Sequence, residues 1–67
     1  MLVTSNNGVI CINASLNGER VEVYTSDGMF IGNANIGNDN ATIQTALTKG
    51  SIAIVKIGEK SVKVIVD

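Results

Sequence analysis

The segment 51–67 reads SIAIVKIGEKSVKVIVD, and its pattern decides the fold. Two apolar runs, 51–57 and 60–66, lie on either side of Gly58-Glu59. Short runs rich in Val and Ile are typical of β-strands, and a Gly-X pair between two such runs is typical of a type II′ turn. The segment therefore predicts a β-hairpin.

Side-chain alternation supports the two strands of this hairpin, because successive side chains of a strand point to opposite faces. The second strand places Val62, Val64 and Val66 on one face and Lys63 and Ile65 on the other. The first strand is apolar on both faces until its single lysine, which predicts a central strand covered on both sides.

Lysines are threaded through both runs of the hairpin, at Lys56, Lys60 and Lys63. We expect them at solvent-facing positions. Lysine on an exposed edge discourages edge-to-edge aggregation. A structural role for these side chains is therefore the first interpretation, ahead of a binding role.

The rest of the chain has the same organisation of short apolar runs between Gly, Asn and Asp turns. Strands are predicted at 9–14, 20–25, 29–35, 41–45, 51–57 and 60–66, with 2–4 as a further edge strand. No segment keeps a 3.6-residue apolar period. Evenly spaced short strands with turn residues between them predict an all-β sandwich or barrel of about six or seven strands.

Two further connections have interpretable turn chemistry. Asp27-Gly28 suits a primed hairpin turn between the strands that flank it. The connection 37–40, GNDN, is polar and is expected to be a flexible surface loop. Its oxygen side chains lack the acidic spacing of an EF-hand loop, so a turn is favoured over a calcium site and no metal is predicted.

Composition bounds the function. The chain has 67 residues, enough for one domain over 1–67, and a net charge of −1, which provides no attraction for nucleic acid or anionic membrane. No run approaches the about 20 apolar residues that span a bilayer. The N-terminus has no signal-peptide pattern, so any export signal is expected outside this segment.

Cysteine and histidine content excludes several kinds of site. Cys11 is the single cysteine and there is no histidine, so an internal disulfide or a thiolate zinc site is excluded. Cys11 lies in the apolar run VICINA, and a small buried hydrophobe is the expected role. A thiol that links two chains is the alternative.

Catalytic chemistry has little support in the sequence. The commonest general base is missing, and a Ser-Lys dyad at Ser61 is disfavoured because adjacent strand residues point to opposite faces. The two aromatic residues, Tyr24 and Phe30, are too few for a base-stacking or sugar-binding platform. We predict a protein that is not an enzyme and needs no cofactor.

Three blocks of this chain resemble the C-terminal sorting domains of type IX secretion cargo in the Bacteroidetes. The blocks are VEVY at 21–24 followed by Asp27-Gly28 and the apolar Phe30-Ile31, IAIVK at 52–56, and 58–66. The resemblance runs from about residue 8 to residue 66. The sequence differs from the family pattern at Ser51, Ala53 and Asp67, where the family has Gly, Tyr and a basic residue.

The resemblance implies a small antiparallel Ig-like β-sandwich that serves as the C-terminal module of a larger secreted or cell-surface protein. It also implies a protein partner in the outer-membrane secretion or attachment machinery. The candidate recognition residues are Gly58, Lys60, Ser61, Lys63, Val64 and Val66.

The alternative is a structural spacer or self-association module that forms a homo-oligomer through a sheet edge or an apolar face. The low net charge and the few edge-protecting residues on 9–14 are compatible with it.

Overall fold

The computed structural model describes residues 1–67. It contains seven strands: β1 Leu2–Asn6, β2 Val9–Asn13, β3 Arg20–Thr25, β4 Phe30–Asn35, β5 Asn40–Gln44, β6 Ile52–Ile57 and β7 Lys60–Ile65. Every strand predicted from the sequence is present, including the added edge strand at the N-terminus. No helix in the structure could cross a membrane.

The strands form two antiparallel sheets. Sheet A has the order β1-β2-β5 and sheet B has the order β4-β3-β6-β7. The chain passes from one sheet to the other after β2, after β4 and after β5. The predicted small antiparallel β-sandwich of about six or seven strands is confirmed. The run 9–14 is not a free edge, because β2 is hydrogen-bonded on both sides.

The core consists of the inward-facing side chains of both sheets. All twelve buried residues are apolar and form one cluster: Ile10, Ile12, Ala14, Val21, Val23, Ile36, Ala41, Ile43, Ala53, Val55, Ile57 and Val66. The cluster contains no aromatic ring. Within each strand the buried residues are two apart, which is the alternation that a half-covered sheet requires.

Alternation corrects two expectations. Cys11 is exposed because its neighbours Ile10 and Ile12 take the inward positions of β2. The segment 51–57 lies inside its sheet, between β3 and β7, but nothing covers its outer face, where Ile52 is 44% exposed. An apolar residue at an outward position does not require a covering layer.

The sequence predicts the turn type of two hairpins, and the structure agrees with one of the two predictions. Gly58 has a φ of +57° and Glu59 does not have a positive φ, as a type II′ turn requires. Asp27-Gly28 does not form the expected primed turn. The Gly28 amide bonds the Thr25 carbonyl at 3.0 Å and only Gly28 has a positive φ, which describes a type I turn followed by a left-handed glycine.

The connection 37–40 is a tight turn and not the long surface loop that was expected. Asn38 and Asp39 both have positive φ, and Gly37 and Asn40 exchange two backbone hydrogen bonds of 3.0 Å. The Asn17 side chain bonds both the amide and the carboxylate of Asp39, at 2.7 and 2.8 Å. These bonds offset the cost of left-handed backbone at two residues other than glycine.

The core account predicts opposite outcomes for one substitution at two isoleucines. Ile10 is fully buried and Ile65 is 71% exposed. Ile10→Ala should cost about 2–5 kcal/mol in the free energy of unfolding, because it leaves a cavity between the sheets. Ile65→Ala should change it by about 0.5 kcal/mol or less.

Urea unfolding followed by circular dichroism measures the value for Ile65→Ala, and the circular dichroism spectrum without urea shows how much of Ile10→Ala is folded. Because so small a core supplies only about 3–5 kcal/mol, Ile10→Ala should be largely unfolded without urea. Equal losses in the two variants would contradict the packing described here.

Candidate functional site

The six candidate recognition residues fall into two groups in the structure. Lys60, Ser61 and Lys63 are exposed on β7, next to the exposed turn residue Gly58. Val64 is half-buried, and Val66 belongs to the core. Both valines point inward, so they contribute to the packing of the sandwich and not to its outer surface.

β7 is the edge strand of sheet B, and its register identifies which backbone groups are free. A two-residue turn makes its flanking pair, Ile57 and Lys60, a hydrogen-bonded pair, and such pairs recur at every second residue. The Val66 amide accordingly bonds the Ser51 carbonyl at 2.8 Å. The even-numbered residues of β7 therefore bond β6. The N–H and C=O groups of Ser61, Lys63 and Ile65 point away from the sheet.

The next odd-numbered residue, Asp67, has its backbone groups occupied by sheet A. Its amide bonds the Ser5 hydroxyl at 2.9 Å, and its carbonyl accepts a bond from the Gly8 amide, also at 2.9 Å. Lys49 makes an exposed ion pair with its carboxylate at 3.5 Å. We call these contacts the latch. It joins the end of β7 to β1, and it limits the free edge to 61–65.

The inward side of the free edge is incompletely covered. Val62 and Val64 are half-buried, whereas Val21, Val23 and Val55 on the inner strands of the sheet are buried. The difference arises because β7 is hydrogen-bonded to a neighbouring strand on one side only, and β1 approaches its other side without pairing with it.

Lysine charge is concentrated on this hairpin. Lys56, Lys60 and Lys63 are three of the five basic residues. The ion pairs in the structure are Arg20–Glu22 and Lys49–Asp67, so these three ammonium groups have no carboxylate partner.

The outer face of sheet B carries an apolar patch that the sequence analysis did not identify. Its members are Tyr24, Phe30, Ile52, Ile54 and Ile65. Tyr24 and Phe30 are paired across β3 and β4 in an edge-to-face contact, with ring centroids 5.6 Å apart. Ile54 is paired with Tyr24, and Ile52 is paired with Ile65. Tyr24 therefore lies on the outer face of the sheet and not in the core.

The alternation used to find the core also contains the signal for this patch. Outward positions of sheet A are mostly Thr, Asn and Gln, and outward positions on one half of sheet B are apolar. The patch is identified when the outward positions of each strand are examined together with the inward ones.

Titratable groups are dispersed over the surface. No three His, Cys, Asp or Glu side chains come together as a metal site would require. The Thr25 hydroxyl donates a hydrogen bond to Asp27 and, with the Asp27 backbone amide, holds the pKa of that carboxyl below its ordinary value. Asp27 lies in the β3–β4 turn, on a different hairpin from the candidate recognition residues.

Comparison with known proteins returns no relative: no protein-family model, no curated sequence and no solved structure matches this chain.

The latch predicts different effects for two neighbouring substitutions on β1. Ser5→Ala removes the acceptor of the Asp67 amide and should cost about 1 kcal/mol in the free energy of unfolding. It should also speed hydrogen exchange at that amide. Thr4→Ala is the control, because Thr4 is exposed on the same strand and its side chain makes no hydrogen bond to the latch.

NMR amide exchange and urea unfolding measure the two effects. Unchanged exchange at Asp67 in the Ser5→Ala protein would show that the latch does not hold the end of β7.

Proposed function

We propose that this chain is a non-enzymatic sorting or anchoring module, the C-terminal module of a larger secreted or cell-surface protein. Its partner is a protein of the outer-membrane secretion or attachment machinery, of the type IX kind found in the Bacteroidetes. The protein reaches the periplasm by an export signal outside this segment and ends secreted or on the outer membrane.

The observation that carries this proposal is the open, lysine-bearing edge of β7. The block 58–66, one of the three that resemble the sorting family, coincides with that strand and its turn. Its exposed members, Lys60, Ser61 and Lys63, lie beside unpaired backbone groups. These exposed groups support a recognition role for β7, while the buried residues account for the fold.

Secretion of a fusion protein tests the proposal. The domain is fused to the C-terminus of a periplasmically exported fluorescent protein in a type IX-competent host. We expect the intact fusion at the cell surface or in the medium. Lys60→Gln/Lys63→Gln should reduce the secreted fraction at least about tenfold, because the two charged contacts together contribute about 1.4 kcal/mol or more.

Two controls make the result specific. Arg20→Gln/Lys49→Gln makes the same change in net charge away from β7 and should be secreted normally. A host without a functional type IX system should retain every fusion. Retention of the intact fusion in the competent host, with its fluorescence and fold preserved, rules out the sorting role there.

A second function, self-association as a spacer module, is favoured by the apolar patch. The patch lies on a face of four strands, which at about 4.8 Å spacing and about 17–20 Å strand length covers roughly 350 Å². A stable interface buries about 800 Å² on each partner. The face alone therefore supports weak association only.

Sedimentation velocity tests this second function. The wild-type chain should show a rising average mass between about 10 µM and 1 mM. Ile65→Lys should abolish the rise by placing a charge in the patch. Leu2→Lys is the matched control, since Leu2 is 61% exposed on sheet A, outside the patch. A wild-type chain that stays monomeric over this range contradicts self-association.

A further inference from the structure

We propose that the free edge of β7 binds an extended acidic segment of its partner by strand addition. The segment becomes the fifth strand of sheet B, beside Ser61, Lys63 and Ile65, with carboxylates on its outward side. This inference rests on the proposed function only in that the proposed function supplies a protein partner. The binding chemistry follows from the edge itself.

The first observation is the set of unpaired backbone groups. Ser61, Lys63 and Ile65 each direct an N–H and a C=O outward at the edge. At Asp67 the same groups are bonded by Ser5 and Gly8. An extended segment would bond the outward backbone groups of 61, 63 and 65, as Ser5 and Gly8 bond those of Asp67.

The second observation concerns the inward side of the same edge. Val62 and Val64 are half-buried because the sheet ends with their strand. An added strand places its alternate side chains on the inward side, next to these valines. Apolar residues at those positions of the segment would bury Val62 and Val64 as fully as the valines of the inner strands are buried. The unpaired backbone groups and the half-buried valines therefore both favour an extended segment as the ligand.

The charge of the edge selects the chemistry of the segment. β7 carries Lys60 and Lys63 and no carboxylate, and neither lysine has an ion-pair partner. In an antiparallel pair, residues directly opposite each other have Cβ atoms about 5 Å apart, and opposite charges there are favourable. A carboxylate opposite Lys63 satisfies this condition.

The same lysines disfavour a second copy of this chain as the occupant. Where both paired residues lie within β7, two edges related by a two-fold axis that keeps the outer faces aligned place Lys63 opposite another Lys63, a Ser61 or an Ile65. None of these arrangements pairs a lysine with a carboxylate. The first places like charges directly opposite, which destabilises pairing.

Short blocked peptides test the inference on the complete chain. The acidic probe is Thr-Val-Glu-Val-Glu, which in the antiparallel orientation places its central Glu opposite Lys63 and its valines on the inward side. The matched probe is Thr-Val-Lys-Val-Lys. We expect the acidic peptide to bind about tenfold or more tightly than the lysine peptide, with a preference that weakens as salt is raised.

Amide exchange measured by NMR locates the binding. Saturating acidic peptide should slow exchange at Ser61, Lys63 and Ile65. Val62 and Val64 should change little, because β6 already bonds their amides. The acidic peptide with an N-methyl group on its central Glu should lose binding, since that change removes the donor to Lys63 and leaves the charge in place.

Two protein variants complete the test. Lys63→Glu should reverse the preference between the two peptides. Ser61→Pro should block addition without disrupting the β6–β7 ladder, because the Ser61 amide faces the free edge. The N-methylated peptide gives the same information without any change to the protein.

The outcomes separate this inference from the proposed function. The inference is supported if the acidic peptide slows amide exchange at Ser61, Lys63 and Ile65 and if Lys63→Glu reverses the preference between the two peptides. Equal binding of both peptides overturns the acidic partner, and no protection at 61–65 overturns strand addition. Secretion of the fusion with no peptide binding would sustain the sorting role and overturn this inference alone.

Discussion

Packing between the inner faces of the two sheets is the interaction on which the rest of the structure depends. Ile10, Ile12 and Ile43 of sheet A meet Val21, Val23 and Val55 of sheet B in one aliphatic cluster. No disulfide or buried aromatic ring supplements them. Side chains of this size fill a thin sandwich only when every strand keeps its register, because a one-residue slip moves an entire inward set to the solvent side. The turns must therefore keep their length: β1–β2 and β6–β7 are joined by two residues each. The longer connections 14–19 and 45–51 contain backbone hydrogen bonds, from Glu19 to Leu16 at 3.0 Å and from Ser51 to Thr48 at 3.1 Å.

Strand positions could be predicted because turn residues and two-residue alternation are local properties. The closing hairpin could be predicted from Gly58-Glu59 and the run 60–66 alone, without reference to the rest of the chain. The alternation also places Cys11 on the outer face, between the inward-facing Ile10 and Ile12, although the composition of its run is that of a buried segment. The turn at 37–40 differs from the expectation for another reason. The Asn17 side chain stabilises its left-handed residues from 22 positions away in the sequence, and local propensity does not register such a contact.

The candidate site shows the same division. The exposed lysines of β7 could be found from the sequence, whereas the free edge could not, because strand order is a long-range property. β7 could have been an inner strand with the same residues. Its position next to the latch leaves 61–65 open and places the apolar patch beside it, so two surfaces of different chemistry meet at Ile65. One is the edge at which we propose that an extended acidic segment binds, and the other is the patch through which we propose weak association.

Native-state hydrogen exchange of the free protein tests the open edge most directly. The account predicts alternation along β7: the amides of Ser61, Lys63 and Ile65 exchange fast, and those of Val62, Val64 and Val66 exchange slowly. Asp67 should be protected by the latch although it has the odd parity of the fast set. Uniform protection from 61 to 66 in dilute protein would contradict the account, because it would mean that the edge of β7 is already covered.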